Sequence, residues 1–207
     1  ATQQNPTHTY ANAGIYTVTL SVTDTLGCAN QISHQVDVRA LPTAAFSFSS
    51  ACMQAPTQFT DQSYAPSGEV ITSWSWDFGM PVTITTDTSS LQNPTYTYNQ
   101  SGTYIVTLTV VTLNGCTKST TMPVQVNAKP TAHFNYTASP CSGGAVAFQD
   151  SSWTYQGVIT AWQWEFGPNE AANVQNPTDV YFNADSCYMV HLIVTDMRGC
   201  MDTTLPE

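Results

Sequence analysis

The chain has 207 residues and a formal net charge of −10, and only 9% of its residues are charged, with four Lys and Arg in all. So few cations leave no basic patch for phosphates, which argues against nucleic-acid partners and anionic membrane surfaces. No apolar run approaches the roughly 20 residues of a membrane span, so no membrane insertion is expected, and no signal peptide is visible.

From the N-terminal end, the first element is a strand. Tyr16, Val18, Leu20 and Val22 alternate with Thr17, Thr19 and Ser21, the period of a strand with one buried and one wet face. LPTAAFSFSSAC begins at Leu41, FTDQS covers residues 59–63, and ITSWSWDFG covers residues 71–79. In the last of these, Trp74, Trp76 and Phe78 share one face, with Ser75 and Asp77 on the other. QNPTYTY follows, then a long strand in which Tyr104, Val106, Leu108 and Val110 alternate with Thr107 and Thr109, closed by the turn signal Asn114-Gly115. KPTAHFNYTASPC begins at Lys129, ITAWQWEFG at Ile159 repeats the Trp strand, and Val190, Leu192 and Val194 repeat the long strand, with His191 on its wet face. No helical spacing survives beyond about a turn.

These elements are copies. NPTHTYANAGIYTVTLSVTDTLGC, NPTYTYNQSGTYIVTLTVVTLNGC and NPTDVYFNADSCYMVHLIVTDMRGC begin at Asn5, Asn93 and Asn176, 88 and 83 positions apart. The Trp strand and the Pro-Thr-Ala run each occur twice, so the chain reads as a tandem array. The expected division is residues 1–39 as the C-terminal half of a unit, 40–127 as a complete unit, and 128–207 as a unit lacking most of its last strand. About seven short strands per unit, with at least one Trp of each pair as a core anchor rather than a carbohydrate platform, predict an all-β chain of tandem immunoglobulin-like β-sandwiches repeating every 85 residues or so. Half a unit alone would expose a sheet edge and half a core. The sequence is therefore expected to be a window of a longer polypeptide, or to be completed in trans by a neighbouring subunit, as in donor-strand assembly.

The order F-x-D-x-S, ITSWSWDFG, QNPTYTY and GTYIVTLTVVTLNGC resembles the PKD (polycystic-kidney-disease-type) domain, over nearly the whole chain. Where that family usually reads WDFGDG, this chain has WDFGMP at 76–81 and WEFGPN at 164–169. The resemblance implies extracellular use as spacers and adhesive stalks in bacterial secreted or surface proteins. Copies with Gly-Cys after the long strand resemble those of Bacteroidota. Six cysteines in an acidic, Lys-poor chain fit an oxidising compartment, and no Cys-x-x-Cys suggests zinc.

No catalytic site is expected. His8, His34, His133 and His191 are scattered over three units with no metal-ligand spacing, and there is no Gly-x-Ser-x-Gly, phosphate loop or His-Glu-x-x-His. Asp77 and Glu165 occur once per repeat, which suits a turn better than a two-acid mechanism. Asp61, Ser63 and Glu69, with Asp150 and Ser152 in the next unit, would offer oxygens to calcium. A hydrogen-bonded aspartate turn is the preferred reading, and no cofactor is expected. Thr25 and Thr203 lie in Asp-Thr-Leu and Asp-Thr-Thr, which resemble Bacteroidota O-glycosylation acceptors.

In an immunoglobulin-like sandwich the first turn and the turn after the long strand lie at opposite ends, about 25 to 35 Å apart, whereas a disulfide needs Cα atoms within about 7 Å. Pairing within a unit, Cys52 with Cys116, is therefore disfavoured. Head-to-tail stacking would instead join Cys52 to Cys200 across a junction, leave Cys28 and Cys116 to partners outside these 207 residues, and pair Cys141 with Cys187 inside the third unit. The expected function is a structural repeat segment of an extracellular stalk, adhesin or filament, secreted or at the cell surface, which is not an enzyme. Its partners would be neighbouring units or like subunits in a fibre, with a cell-surface glycan or protein as target. The alternative is a glycan-binding or spacer array attached to a secreted enzyme. Exposure of Tyr64, Trp153, Tyr155 and the first Trp of each pair separates the two.

A polypeptide of residues 41–126 is expected to unfold cooperatively as a soluble β domain, with residues 1–39 alone disordered. A cooperative thermal melt of monomeric 1–39 would contradict the half-unit reading.

Overall fold

The structure is a computed structural model that describes residues 3–66, 68–80, 87–138, 144–167, 170–178, 180–181 and 188–204. All of its regular elements are strands. A first hairpin comprises β1 (Gly14–Thr23) and β2 (Ala29–Val38). The second unit comprises β3 (Phe46–Phe48), β4 (Pro56–Asp61), β5 (Ile71–Asp77), β6 (Thr88–Ser89), β7 (Thr95–Thr97), β8 (Gly102–Thr112) and β9 (Thr117–Val126). The third comprises β10 (Phe134–Ala138), β11 (Ala145–Asp150), β12 (Ile159–Gly167), β13 (Glu170–Ala172), β14 (Val180–Tyr181), β15 (His191–Asp196) and β16 (Met201–Thr203).

Each of the later two units is a sandwich of a three-stranded and a four-stranded sheet, with orders β3-β4-β7 and β6-β5-β8-β9 in one, and β10-β11-β14 and β13-β12-β15-β16 in the other. The strands pair antiparallel, so period-two patterning puts one face of each sheet into a shared core. In the second unit Phe46 and Phe59 of one sheet meet Trp76, Val106, Leu108, Val110 and Val124 of the other, all buried. Phe148, Trp164, Phe166, Leu192 and Val194 repeat this in the third. Trp76 Nε1–H donates to the Leu91 carbonyl and Trp164 Nε1–H to that of Val174, each at 2.9 Å, so neither buried indole leaves a donor unpaired.

The first hairpin differs from the matching hairpins of the later units in burial. β1 pairs with β2 over ten residues, yet Val18, Leu20, Val22, Ile32 and Val36 are exposed on the face their pattern assigns to a core. Alternation marks which residues can be buried, and burial needs a second sheet. Among the described residues none covers this face.

The glycine of the Trp-strand motif has a steric reason. Gly79 sits at φ +76°, and a Cβ there would lie 2.5 Å from the Ile105 carbonyl oxygen of β8. Gly115, in the β8–β9 turn at φ +83°, meets nothing within 4 Å. Gly115→Ala is expected to cost about 1 kcal/mol, the left-handed penalty alone, and Gly79→Ala at least about 2 kcal/mol, because backbone must also move. Urea titrations of residues 41–126 carrying either change would read the difference; equal losses would mean that β8 yields freely.

Candidate functional site

One repeated constellation and one junction carry the polar chemistry of the array. The first is a clamp at the end of β4 and β11. Asp61 Oδ1 accepts Ser63 N–H at 2.9 Å, while Oδ2 accepts Trp74 Nε1–H at 2.7 Å and Gln92 Nε2–H at 3.1 Å. Asp150 repeats every bond, with Ser152 N–H at 2.9 Å, Trp162 Nε1–H at 2.7 Å and Gln175 Nε2–H at 3.1 Å. The Asp61 and Asp150 amides donate to Asn93 and Asn176 Oδ1, both at 2.8 Å, which ties each clamp to its Asn-Pro-Thr run. The repeated carboxylate thus binds the first Trp of each pair to the opposite sheet. Burial pushes the Asp61 and Asp150 carboxyls up, but the hydrogen bonds from Ser63 and Ser152, then from the glutamines and indoles, outweigh it and hold both below the ordinary 3.8.

Glu69 is not part of this constellation, contrary to its grouping with Asp61 and Ser63. Its Oε1 accepts from Arg39 Nη1, on the linker from the first hairpin, and from Asn114 Nδ2 in the β8–β9 turn, both at 2.9 Å. Arg39 also pairs with Asp37 at 3.0 Å. The Arg39 guanidinium, by hydrogen bonding, holds the Glu69 carboxyl below its ordinary range. Among the described residues no group of three or more His, Cys, Asp or Glu is arranged to hold a metal ion. Asp77 and Glu165 stay apart: Asp77 Oδ1 accepts Gly79 N–H at 2.8 Å in a turn, whereas Glu165 Oε1 takes Gln163 Nε2–H at 3.4 Å. His8 stacks edge-on to Tyr10.

The structure brings Cys52 and Cys200 together, with Cα atoms 5.6 Å apart at a sequence separation of 148. The means is visible in the backbone. Met53 N–H donates to Asn127 O and Asn127 N–H to Ala51 O, each at 2.8 Å, so the first turn of the second unit is held against the linker into the third. Cys200 ends the β15–β16 turn, where Asp196 Oδ1 accepts both Arg198 and Cys200 N–H at 2.9 Å. Cys28 and Cys116 are unbonded in the corresponding turns, and Cys141 and Cys187 lie outside the described residues. Thr25 and Thr203 are both exposed; Asp24 and Asp202 beside them bond to the turn amides of Leu26 and Cys28, and to Lys129 Nζ and Ala132 N–H.

The exposed aromatics divide. Tyr64, Trp153 and Tyr155 are 63%, 57% and 81% exposed, and Tyr64 and Trp153 occupy matching places, each bridged to the Thr of a Pro-Thr pair, Thr43 or Thr131. Trp74 and Trp162 are half-buried with their indole N–H groups held in the clamps. An open groove of about 510 Å³ beside Trp162 mixes polar side chains, Thr160, Gln163 and Gln175, with the apolar Val174, Ile193 and Met201.

Sandwich fold, repeated clamp and linker geometry define a tandem array of immunoglobulin-like modules. The chain belongs to the PKD domain family, whose model matches residues 1–40, 39–126 and 127–206. It is similar to the PKD1 domain of Vibrio anguillarum Epp, at 29% identity over 44% of this chain and 98% of that one, with a TM-score of 0.38. The PKD1 domain of the Vibrio cholerae metalloprotease PrtV is also 29% identical, over 42% and 98%, with a TM-score of 0.37. The fibronectin(III)-like modules of Clostridium thermocellum CbhA match at 14% identity over 79% and 90%, with a TM-score of 0.39.

Because both clamp carboxyls are depressed in the fold, the stability they contribute is complete above about pH 4 and is lost as pH falls through their lower folded values. Asp150→Asn is expected to cost about 1 to 3 kcal/mol at pH 7 and to flatten the acid-induced fall in melting temperature. Melts between pH 7 and 2 would show it; an equally steep fall in the variant would place the acid sensitivity elsewhere.

Proposed function

We propose that this chain is a structural repeat segment of an extracellular stalk, adhesin or filament, secreted or displayed at the surface of a Bacteroidota-like bacterium. The observation that carries the reading is the Cys52–Cys200 bond, which joins successive units rather than closing one. A bond inside a sandwich stabilises that sandwich alone; a bond across a linker restricts how one unit turns against the next. Such restriction serves a chain whose task is to hold distance and direction. PKD membership and a buried disulfide are consistent with an extracellular protein. Repetition favours the same role, since what recurs in the units is the clamp, the core and the turn.

Replacing both cysteines, Cys52→Ala with Cys200→Ala, tests the reading. Small-angle scattering of residues 40–207 is expected to give one narrow distribution of inter-unit distance for the parent and a broader one for the variant, each unit remaining folded. Identical distributions would remove the mechanical role of the bond.

The second reading, a glycan-binding or spacer array attached to a secreted enzyme, is favoured by the matching exposure of Tyr64 and Trp153 and by the open groove beside Trp162, where amides and hydroxyls sit among apolar side chains. Under it, cell-wall or plant polysaccharides would retard the parent in affinity electrophoresis, and Trp153→Ala with Tyr64→Ala would abolish the retardation. Parent mobility unchanged by every polysaccharide would exclude it.

A further inference from the structure

We infer that the outer edge of β2 is a strand-pairing site for a second copy of this chain, joined antiparallel about a two-fold axis at Ser33. Two independent observations carry this: a backbone edge left unguarded, and side chains along it that complement themselves.

The backbone observation begins at the turn. Asp24 N–H donates to Cys28 O at 2.9 Å, as Thr112 N–H donates to Cys116 O. In an antiparallel ladder, hydrogen-bonded pairs alternate with pairs whose N–H and C=O turn away, so Ala29, Gln31, Ser33, Gln35 and Asp37 aim both groups out from β1. The second unit checks the count. Tyr104 pairs with Val124 as Tyr16 pairs with Val36, so Pro123 of β9 stands where Gln35 stands in β2, and a proline, having no N–H, suits an outward place.

β9 and β16 also end their sheets, so the openness of this edge follows from the place of β2 as the last strand of its unit. What differs is the guarding. Proline, lysine, shortness and bulges are the means by which edge strands avoid pairing. β9 has Pro123 and Lys118, and β16 is three residues long. β2 has Gln35 and Asn30 at the places of Pro123 and Lys118, runs ten residues without a bulge, and is exposed from Ala29 to Asp37. Among the described residues, one outward amide has an acceptor, Gln31 N–H on Asn30 Oδ1 at 2.8 Å, an exposed side chain that a docking strand can displace.

The side chains identify the occupant. A chain of net charge −10 repels its own copies wherever carboxylates meet, yet residues 29–36 hold no Asp, Glu, Lys or Arg, and Asp37 is already paired with Arg39 at 3.0 Å. Antiparallel pairing centred on Ser33 sets Ser33 against itself, Gln31 against Gln35, and Ala29 against Asp37. Hydroxyl then meets hydroxyl, amide meets amide, each able to donate and accept, and no two carboxylates face each other. The Thr19–Ser33 hydroxyl pair, 2.8 Å apart, would continue through the axis into its copy. All five outward residues of each strand take part, which gives about ten backbone hydrogen bonds. A joint of this kind uses the same patch on both sides and closes at two copies.

The inference extends the fibre reading by naming the surface through which like chains meet. It is independent of the Cys52–Cys200 joint, whose scattering test reads stiffness within one chain. Sedimentation equilibrium of residues 1–207, carrying Cys28→Ser and Cys116→Ser to exclude disulfide-linked pairs, is expected to give twice the monomer mass at about 1 mM and the monomer after roughly hundredfold dilution. Gln35→Pro installs the guard of β9 at an amide that β1 does not use, and is expected to weaken the dimer at least about tenfold. Ser33→Lys, which sets two ammonium groups on the axis, is expected to do the same without touching the backbone. In the parent, exchange of the Ser33, Gln35 and Asp37 amides is expected to be at least about tenfold slower at the higher concentration. A parent that is monomeric throughout, assemblies larger than two, equal exchange, or a dimer that either substitution leaves intact, as association through the apolar face of Val18 and Leu20 would give, overturns the inference.

Discussion

The indole of Trp76, and of Trp164 in the next unit, is the part around which each sandwich is assembled. A residue of this size excludes water only when both sheets close on it, and its N–H tolerates burial only because a carbonyl of the strand-to-strand connection, Leu91 or Val174, is there to accept it. The remaining architecture serves that condition. The neighbouring Trp, two positions earlier on the same face, is only half-buried and is fixed by the aspartate clamp. Each unit thus has one Trp filling the core and one joining the two sheets at their edge.

Much of this was legible in the sequence because it depends on short-range pattern. Alternation over residues 104–110 gives the strand and its buried face, the 88-residue spacing gives the unit, and Asn114-Gly115 gives the turn. The clamp was half legible. Asp61 and Asp150 read from sequence as turn residues, but their second oxygens go to Trp74 and Trp162 and to Gln92 and Gln175. The signal available was the Gln before each Asn-Pro-Thr, present in all three copies at Gln4, Gln92 and Gln175. Glu69 was out of reach. Its partner Arg39 is 30 residues away across a linker, and the matching position in the third unit is Gly157, so no repetition marks it.

The first hairpin shows the limit of pattern in the other direction. Residues 16–22 carry the alternation of a buried strand as clearly as residues 104–110, and local hydrogen bonding gives both hairpins the same form. Whether the apolar stripe meets protein or water is decided by residues distant in sequence, to which periodicity is blind.

The linkers differ in what holds them, and the array is therefore not uniform in its response to surroundings. The joint between the first hairpin and the second unit depends on the ion pair of a partly exposed Arg39 with Glu69, which added salt screens. The joint between the second and third units also carries an ion pair, Lys129 with Asp202, but it is covalent through buried Cys52 and Cys200, so salt that screens the pair leaves the bond in place until a reductant reaches it. With four basic residues in the whole chain, placing one in each linker, Arg39 and Lys129, concentrates its scarce attractive electrostatics at the hinges and leaves the sandwiches between them mutually repelling. Such a chain would loosen at one hinge in brine while staying locked at the next.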